Sequence, residues 1–466
     1  MNSVMNINPW ATKFSGPNPA ADPRRMRRII AEDPEWSLAT VPLLSDLCIN
    51  HIVANFAEHP LLMQLQEKDR RKVLAKISTN IPLKVTANLI SDEGYWKRCC
   101  LECWEVCDIS SYGNSWKRMF FERLLKNIIE FFVPDTTDVK VVLDLVPLCR
   151  NYVKTLDVAQ LLPPVKQSSE AMDDDSSDAG SDSDVIGPSV DHFDFSILLS
   201  KLINLEELHV TYGVKDCGMN FEWNIFQFTY RDCFSLAKAI NSCKTLKVLK
   251  LPRNRIDDEK LRVLVKYMLN HPSLIELDLS HNLIQDNGAK VLAKLLHKTK
   301  LEKVNLCNNR ISAYGAKAIS YKVRRFSTLK SINFCLNQIG DEGGEALGRA
   351  LVKSSVEDIN LSCNELTEPV AVVFSELLTK NHTLKSIDLS CNNLGLEGGR
   401  QLQEGMSMNK TVMEFDLRLT DIGQENEYAI NQILHNNRER VRNAICRPFK
   451  AIKASEVASD HYLAED

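Results

Sequence analysis

The chain has 466 residues with 57 basic and 61 acidic side chains, a net charge of −4, and 44% hydrophobic residues. That balance is ordinary for a globular protein and gives no global reason to bind nucleic acid. No apolar run nears the roughly 18 residues that a membrane span needs.

The chain begins without a secretory pattern: Met1 to Pro23 has no basic stretch followed by an apolar core. The 14 cysteines are therefore expected as reduced thiols in a cytosolic setting. Residues 1–30 read as an extended tail, polar and Pro-punctuated as far as Asp22. Arg24-Arg25-Met26-Arg27-Arg28 then reads either as a solvated helix start or as a docking patch for an acidic partner.

Residues 31–163 read as an α-helical domain. Leu43, Leu44, Leu47, Ile49, Ile52, Val53 and Phe56 fall on one broad helical face, with Ser45 as a cap. Val73, Leu74 and Ile77 carry the next helix, and Ile81 to Ile90 is broken at Pro82. Phe120, Phe121, Leu124, Leu125, Ile128, Ile129, Phe131 and Phe132 mark a strongly apolar helix closed by Pro134. Val139 to Leu148 fits either a strand or a short helix. The region is large enough for its own core.

Residues 164–192 change character. Ser168 to Asp184 holds seven acidic side chains and six serines with no basic residue, too little apolar surface to offset the entropy of ordering. It reads as a disordered linker between the helical domain and a repeat region.

Residues 193–445 carry the repeat. Leu246-Lys-Val-Leu249-Lys-Leu251-Pro-Arg-Asn254-Arg-Ile256 recurs seven times, with its Asn returning at Asn282, Asn309, Asn337, Asn364 and Asn392 and replaced by Thr420. The steps are 28, 27, 28, 27, 28 and 28 residues. This is the leucine-rich-repeat pattern, and a helix in each unit makes it ribonuclease-inhibitor-like. The fold class is an α/β solenoid, parallel strands on a concave face and helices on a convex one, preceded by the helical domain.

Leu205-Glu-Glu-Leu208-His-Val210 reads as an earlier copy, followed by an aromatic insertion within Val214 to Tyr230. Small residues in Asn287-Gly-Ala, Glu342-Gly-Gly and Glu397-Gly-Gly are expected to let helix and strand backbones approach. Glu425 to Val441 supplies the last helix, and residues 446–466 read as a basic C-terminal tail.

In each copy the paired apolar residues point inward and the anchor Asn satisfies backbone groups at the turn. The outward positions then form a strip. Glu276, Asp278, Asn305, Asn333, Asp358, Asn360, Asp388, Glu414 and Asp416 make it polar and mildly acidic, with Lys250 and Lys303 as its bases. Such faces usually bind another protein; the competing reading is that Asp and Asn stand there for solubility.

Chemistry is hard to find. Cys99, Cys100, Cys103 and Cys107 crowd one helix with no second motif across a longer gap, so they read as buried thiols rather than zinc ligands. Cys307 and Cys335, and likewise Cys363 and Cys391, are 28 residues apart and read as repeat positions along one edge. No phosphate loop or zinc-protease motif occurs. No catalytic, cofactor-binding or metal residue is assigned, and no small-molecule substrate is expected.

Two phrases in the helical domain are more specific than the repeats. Leu43-Leu-Ser-Asp-Leu-Cys-Ile-Asn-His-Ile-Val-Ala-Asn-Phe56 and Leu83-Lys-Val-Thr-Ala-Asn-Leu-Ile-Ser-Asp-Glu-Gly-Tyr-Trp-Lys-Arg-Cys-Cys100, followed by an acidic linker and repeats, resemble the dynein regulatory complex subunit 5 family. That family is also called T-complex-associated testis-expressed protein 1. The resemblance covers Ala31 to Arg447. It implies a non-enzymatic subunit of the nexin–dynein regulatory complex, in the axoneme of motile cilia and flagella. The partners implied are other subunits of the complex and, indirectly, doublet microtubules. Two other classes stay open: an F-box-like ubiquitin-ligase receptor, and a GTPase-activating repeat protein with Arg253 and Arg310 as its nearest candidate residues.

Overall fold

A computed structural model of the chain describes residues 26–28, 40–164, 191–220, 227–326 and 328–461. Arg24 and Arg25, the acidic run and the aromatics Phe221, Trp223 and Phe226 lie outside the described residues. The chain divides into two compact units, Met1–Asn127 with Lys140–Val153, and Ile128–Val139 with Lys154–Asp466.

The first unit pairs two short antiparallel strands, β1 (Met26–Arg28) and β2 (Thr40–Pro42). Its helices are α1 (Leu44–Ala54), α2 (Glu67–Lys76), α3 (Leu83–Leu89), α4 (Glu93–Cys103), α5 (Trp116–Glu130) and α6 (Lys140–Cys149). The last three residues of α5 are counted with the second unit. The stretch that fits strand or helix is thus helical, with Val142, Leu145, Val146 and Cys149 buried at helical spacing despite Pro147.

The core of this unit forms around Trp96, which is fully buried and packs against Phe120 and Phe121 at 5.2 Å between ring centres. Its indole N–H donates to the Ile90 carbonyl at 2.9 Å. The same carbonyl accepts from the Lys117 ammonium at 2.8 Å. Lys117 is buried with its charge over the rings of Tyr152 and Trp96, so two aromatic faces and one carbonyl replace its lost water. Asp92 caps α4 by accepting from the Tyr95 N–H at 2.7 Å. Glu93 in turn accepts from Ser115 Oγ and the Trp116 N–H at the start of α5.

Helix α1 departs from expectation. It starts from Leu43 with no side-chain cap, and Ser45 lies inside it. Ile49 and Phe56 are buried, while Leu43, Leu44 and Leu47 are exposed. The helix packs on α2, so one stripe is covered rather than the whole apolar face.

In the second unit nine strands of the described residues form one parallel sheet in chain order. They are β3 (Thr155–Val158), β4 (Glu207–Val210), β5 (Val248–Lys250), β6 (Glu276–Asp278), β7 (Lys303–Asn305), β8 (Ser331–Asn333), β9 (Asp358–Asn360), β10 (Ser386–Asp388) and β11 (Glu414–Asp416). The outer layer is α7 (Tyr230–Ser242), α8 (Asp258–Met268), α9 (Asp286–Lys298), α10 (Ala313–Phe326), α11 (Gly340–Leu351), α12 (Glu368–Lys380), α13 (Gly395–Met408) and α14 (Gln424–His461). Each of these helices packs on the next.

Two boundaries change. Strand β3 lies in the stretch read as helical domain, yet it pairs in register with β4, Leu156 beside Leu208. The acidic segment is therefore an insertion between two strands of the repeat sheet rather than a link between domains. Helix α14 continues through His461, so the segment read as a tail is helical for most of its length.

The anchor asparagines stitch the repeats together. Asn282, 5% exposed, accepts from the Asn254 and Ile256 N–H groups at 3.0 and 2.9 Å. Its amide donates to the carbonyls of Leu251, Leu279 and Ser280 at 2.9–3.0 Å. Asn392 does the same for Asn364, Leu366, Leu361, Leu389 and Ser390. Both side chains reach back to the preceding repeat, and both satisfy buried groups that would otherwise lack partners. Thr420 closes the series with one hydroxyl bond, to Leu417 O.

Small residues in the helices serve helix–helix rather than helix–strand approach. A Cβ added at Gly405 on α13 would lie 2.7 Å from the Ser375 Cα and carbonyl oxygen on α12. Among the described residues no helix is long and apolar enough to cross a membrane.

Candidate protein-binding face

Strand pleating sorts the site residues. On β6 the central Leu277 is buried while Glu276 and Asp278 face the open side, and β8, β9, β10 and β11 repeat the pattern. Parallel pairing then lines the outward residues up across neighbouring strands, Asp358 beside Ser386 and Asp388 beside Asp416.

The strip has two electrostatic halves. Near its middle Glu276 sits between Lys250 at 3.4 Å and Lys303 at 4.0 Å. Asp278 accepts from the Asn305 amide at 3.0 Å and from the Ser280 N–H at 2.8 Å. These groups largely neutralise one another.

Toward β11 acids prevail and the surface deepens into a trough of about 590 Å³. Asn333, Asp358, Asn360, Asp388, Glu414 and Asp416 line it; Glu276, Asp278 and Asn305 lie outside it. Asp388 is held by the Asn360 amide at 2.7 Å and the Ser390 N–H at 2.9 Å. The Arg418 guanidinium pins Asp416 and lowers its carboxyl below the usual range. Asp358 and Glu414 are exposed. Partial desolvation against the sheet, and then the neighbouring charges of Glu357 and Glu414, push the Asp358 carboxyl upward. A cation docking beside these two would relieve that repulsion.

Helix α14 supplies the end wall through Glu427, Asn431 and Arg438, with Arg438 Nε donating to the Met413 carbonyl at 2.6 Å. Sequence reasoning read Glu425 to Val441 as the last helix and assigned none of these side chains to the face. Their spacing of four and seven residues, which keeps one helical face, was the available signal.

Arg253 and Arg310 are exposed at turns of the repeats. Of the cysteines read as crowding one helix, Cys99, Cys100 and Cys103 lie on α4 and Cys107 lies beyond its end. Cys99 and Cys100 are buried, and burial pushes the Cys99 thiol up to about 12 and the Cys103 thiol to about 11. Among the described residues no group of three or more His, Cys, Asp or Glu could hold a metal ion.

Comparison with known proteins identifies the repeats and a set of named relatives. The family model described as Leucine Rich repeat matches residues 270–293, 327–348 and 380–402. A Macaca fascicularis protein named dynein regulatory complex subunit 5 is 52% identical over 329 residues, covering 71% of this chain and 66% of its own length. The Homo sapiens protein of that name is 55% identical over 293 residues, 63% of this chain and 58% of its own. The Chlamydomonas reinhardtii protein is 31% identical over 221 residues, 47% and 50%. The chain thus spans about two thirds of the first relative's length and less of the other two.

Proposed function

We propose, taking homology to the dynein regulatory complex subunit 5 family as the premise, that this chain is a non-enzymatic scaffold subunit of the nexin–dynein regulatory complex. In this reading it resides in the axoneme of motile cilia and flagella. Its repeat solenoid and helical domain bind other subunits of the complex, contact doublet microtubules only through them, and help regulate dynein-driven sliding. The relatives' shared name carries the assignment. The open sheet face, with an acidic trough at one end, supports a docking role for the solenoid.

The test is a tagged copy in a ciliated cell, followed by salt extraction of axonemes and recovery of the complex. Asp358→Lys with Glu414→Lys is the informative variant, because neither acid is held as Asp416 is by Arg418. Release from the complex with the fold intact is expected. Retained assembly would move docking to another surface. The exposed Leu43, Leu44 and Leu47 on α1 favour the ubiquitin-ligase alternative, which co-purification with a cullin–adaptor pair would support and stable axonemal association would remove.

A further inference from the structure

We propose that Cys363 and Cys391 form an oxidisable dithiol pair, which a hydroperoxide closes to a disulfide linking two neighbouring repeats. Each immediately precedes an anchor asparagine. Strands β9 and β10 pair in register as far as Asn360 beside Asp388, and the ladder continues with the Cys363 N–H donating to Ser390 O at 3.0 Å. Both cysteines hold a left-handed backbone, φ 53 and 56, so their side chains leave the chain in the same sense. Neighbouring parallel strands lie about 4.8 Å apart, inside the window of about 4.4–6.8 Å between Cα atoms that a disulfide bridges. Burial, then the neighbouring Cys391, pushes the Cys363 thiol up to about 11.

The pair is asymmetric. Cys391 is exposed and Cys363 half-buried, so a dissolved oxidant reaches the Cys391 sulfur first. Cys391 is therefore the attacking sulfur. It attacks one oxygen of the hydroperoxide, the O–O bond breaks, and the departing oxygen leaves with the thiol proton as water, or as an alcohol from an organic peroxide. The sulfur is oxidised to a sulfenic acid. Cys363 then attacks that sulfur, the S–O bond breaks, hydroxide leaves as water with the Cys363 proton, and the S–S bond forms. With hydrogen peroxide, one oxidant and two thiols give one disulfide and two waters.

In-register parallel neighbours keep their Cβ atoms near the strand spacing, wider than the mean of about 3.8 Å in disulfides. The resulting strain makes the bond easily reduced, the property of regulatory rather than structural disulfides. Cys307 and Cys335 form a parallel comparison. They continue the β7–β8 register, with Asn308 N–H donating to Cys335 O at 2.7 Å. Both are half-buried, and burial together with Cys335 pushes the Cys307 thiol up to about 12. That pair should oxidise more slowly.

The full chain is treated with hydrogen peroxide, free thiols are alkylated, and tryptic peptides are analysed by mass spectrometry. Cys363 and Cys391 fall on separate peptides, so the expected result is a cross-linked peptide pair that dithiothreitol separates. It should appear before any cross-link between Cys307 and Cys335. Cys363→Ser should lose the cross-link and leave a sulfenic acid on Cys391 that dimedone traps; circular dichroism checks its fold, and the unmodified chain provides the primary readout. Oxidation of Cys391 to sulfinic acid without a cross-link, or earlier closure of the Cys307–Cys335 pair, would overturn the proposal.

Discussion

Replacing Asn282 by Ala tests what holds the repeats together. The side chain makes five hydrogen bonds in a buried position. Alanine leaves the Asn254 and Ile256 N–H groups without their acceptor. At about 1–3 kcal/mol for each stranded buried group, these two donors alone cost about 2–6 kcal/mol. Thr420→Ala removes a single bond and should cost about 1 kcal/mol. Asn282→Asp separates the two functions, since it keeps an acceptor for both N–H groups but turns a carboxylate toward three carbonyls. A solenoid has neighbour-to-neighbour stability, so the loss should be local before it is global. Native-state hydrogen exchange should show the amides of Asn254 and Ile256 losing protection in the Ala variant and keeping more of it in the Asp variant. A urea titration of Asn282→Ala and Thr420→Ala gives the energies. Equal destabilisation by the two alanine variants would refute the idea that the asparagine amides couple the repeats.

Three other outcomes follow from the packing. Lys117→Ala should cost about 2–4 kcal/mol in urea unfolding through the cavity it opens; Lys117→Met should cost less, because Trp96 still donates to the Ile90 carbonyl. Gly405→Ala should destabilise the chain by about 1–3 kcal/mol, as α12 and α13 must separate to admit one methyl group; thermal melting checks it. Burial raises the Asp232 carboxyl, but hydrogen bonds and charge from His192, with Thr229, outweigh it and leave the carboxyl below its usual value. The stability this contributes is fully present above about pH 4, the unfolded value. It is lost as pH falls through the lower folded value, so Asp232→Asn should flatten the acid limb of a stability–pH profile.

How much of this could be read in the sequence depended on how regular each segment was. Seven copies in phase made the strand positions, the inward leucines and the anchor asparagines legible, because a solenoid repeats its local physics. Strand β3 was hidden for two reasons. Leu161, buried in the position equivalent to Asn254, replaces the anchor, and the acidic insertion separates Leu156 from its partner Leu208. Apolar spacing found α1 but could not reveal that Leu43, Leu44 and Leu47 stay uncovered, since covering a face depends on which neighbour arrives. The outward strip was also legible, but not its division. Glu276 meets two lysines from adjacent repeats and Asp416 meets Arg418, pairings set by side-chain reach rather than by period. The trough depends on α14 folding over the end of the sheet; helical spacing places Glu427, Asn431 and Arg438 on one face but not what that face covers.

The backward reach of the anchors gives the solenoid a direction. Asn282 completes the turn of the repeat before it, and Asn392 does the same one hundred and ten residues later. During synthesis a repeat leaving the ribosome therefore remains with unpaired turn amides until its successor arrives. The last repeat has no successor, and Thr420 closes the turn before it through its backbone carbonyl, which accepts from the Leu394 and Gly395 N–H groups. A chain truncated just before Asn282 or Asn392 would leave two turn N–H groups of the preceding repeat without their acceptor, whereas a cut before Asn309 or Asn337 would strand only one.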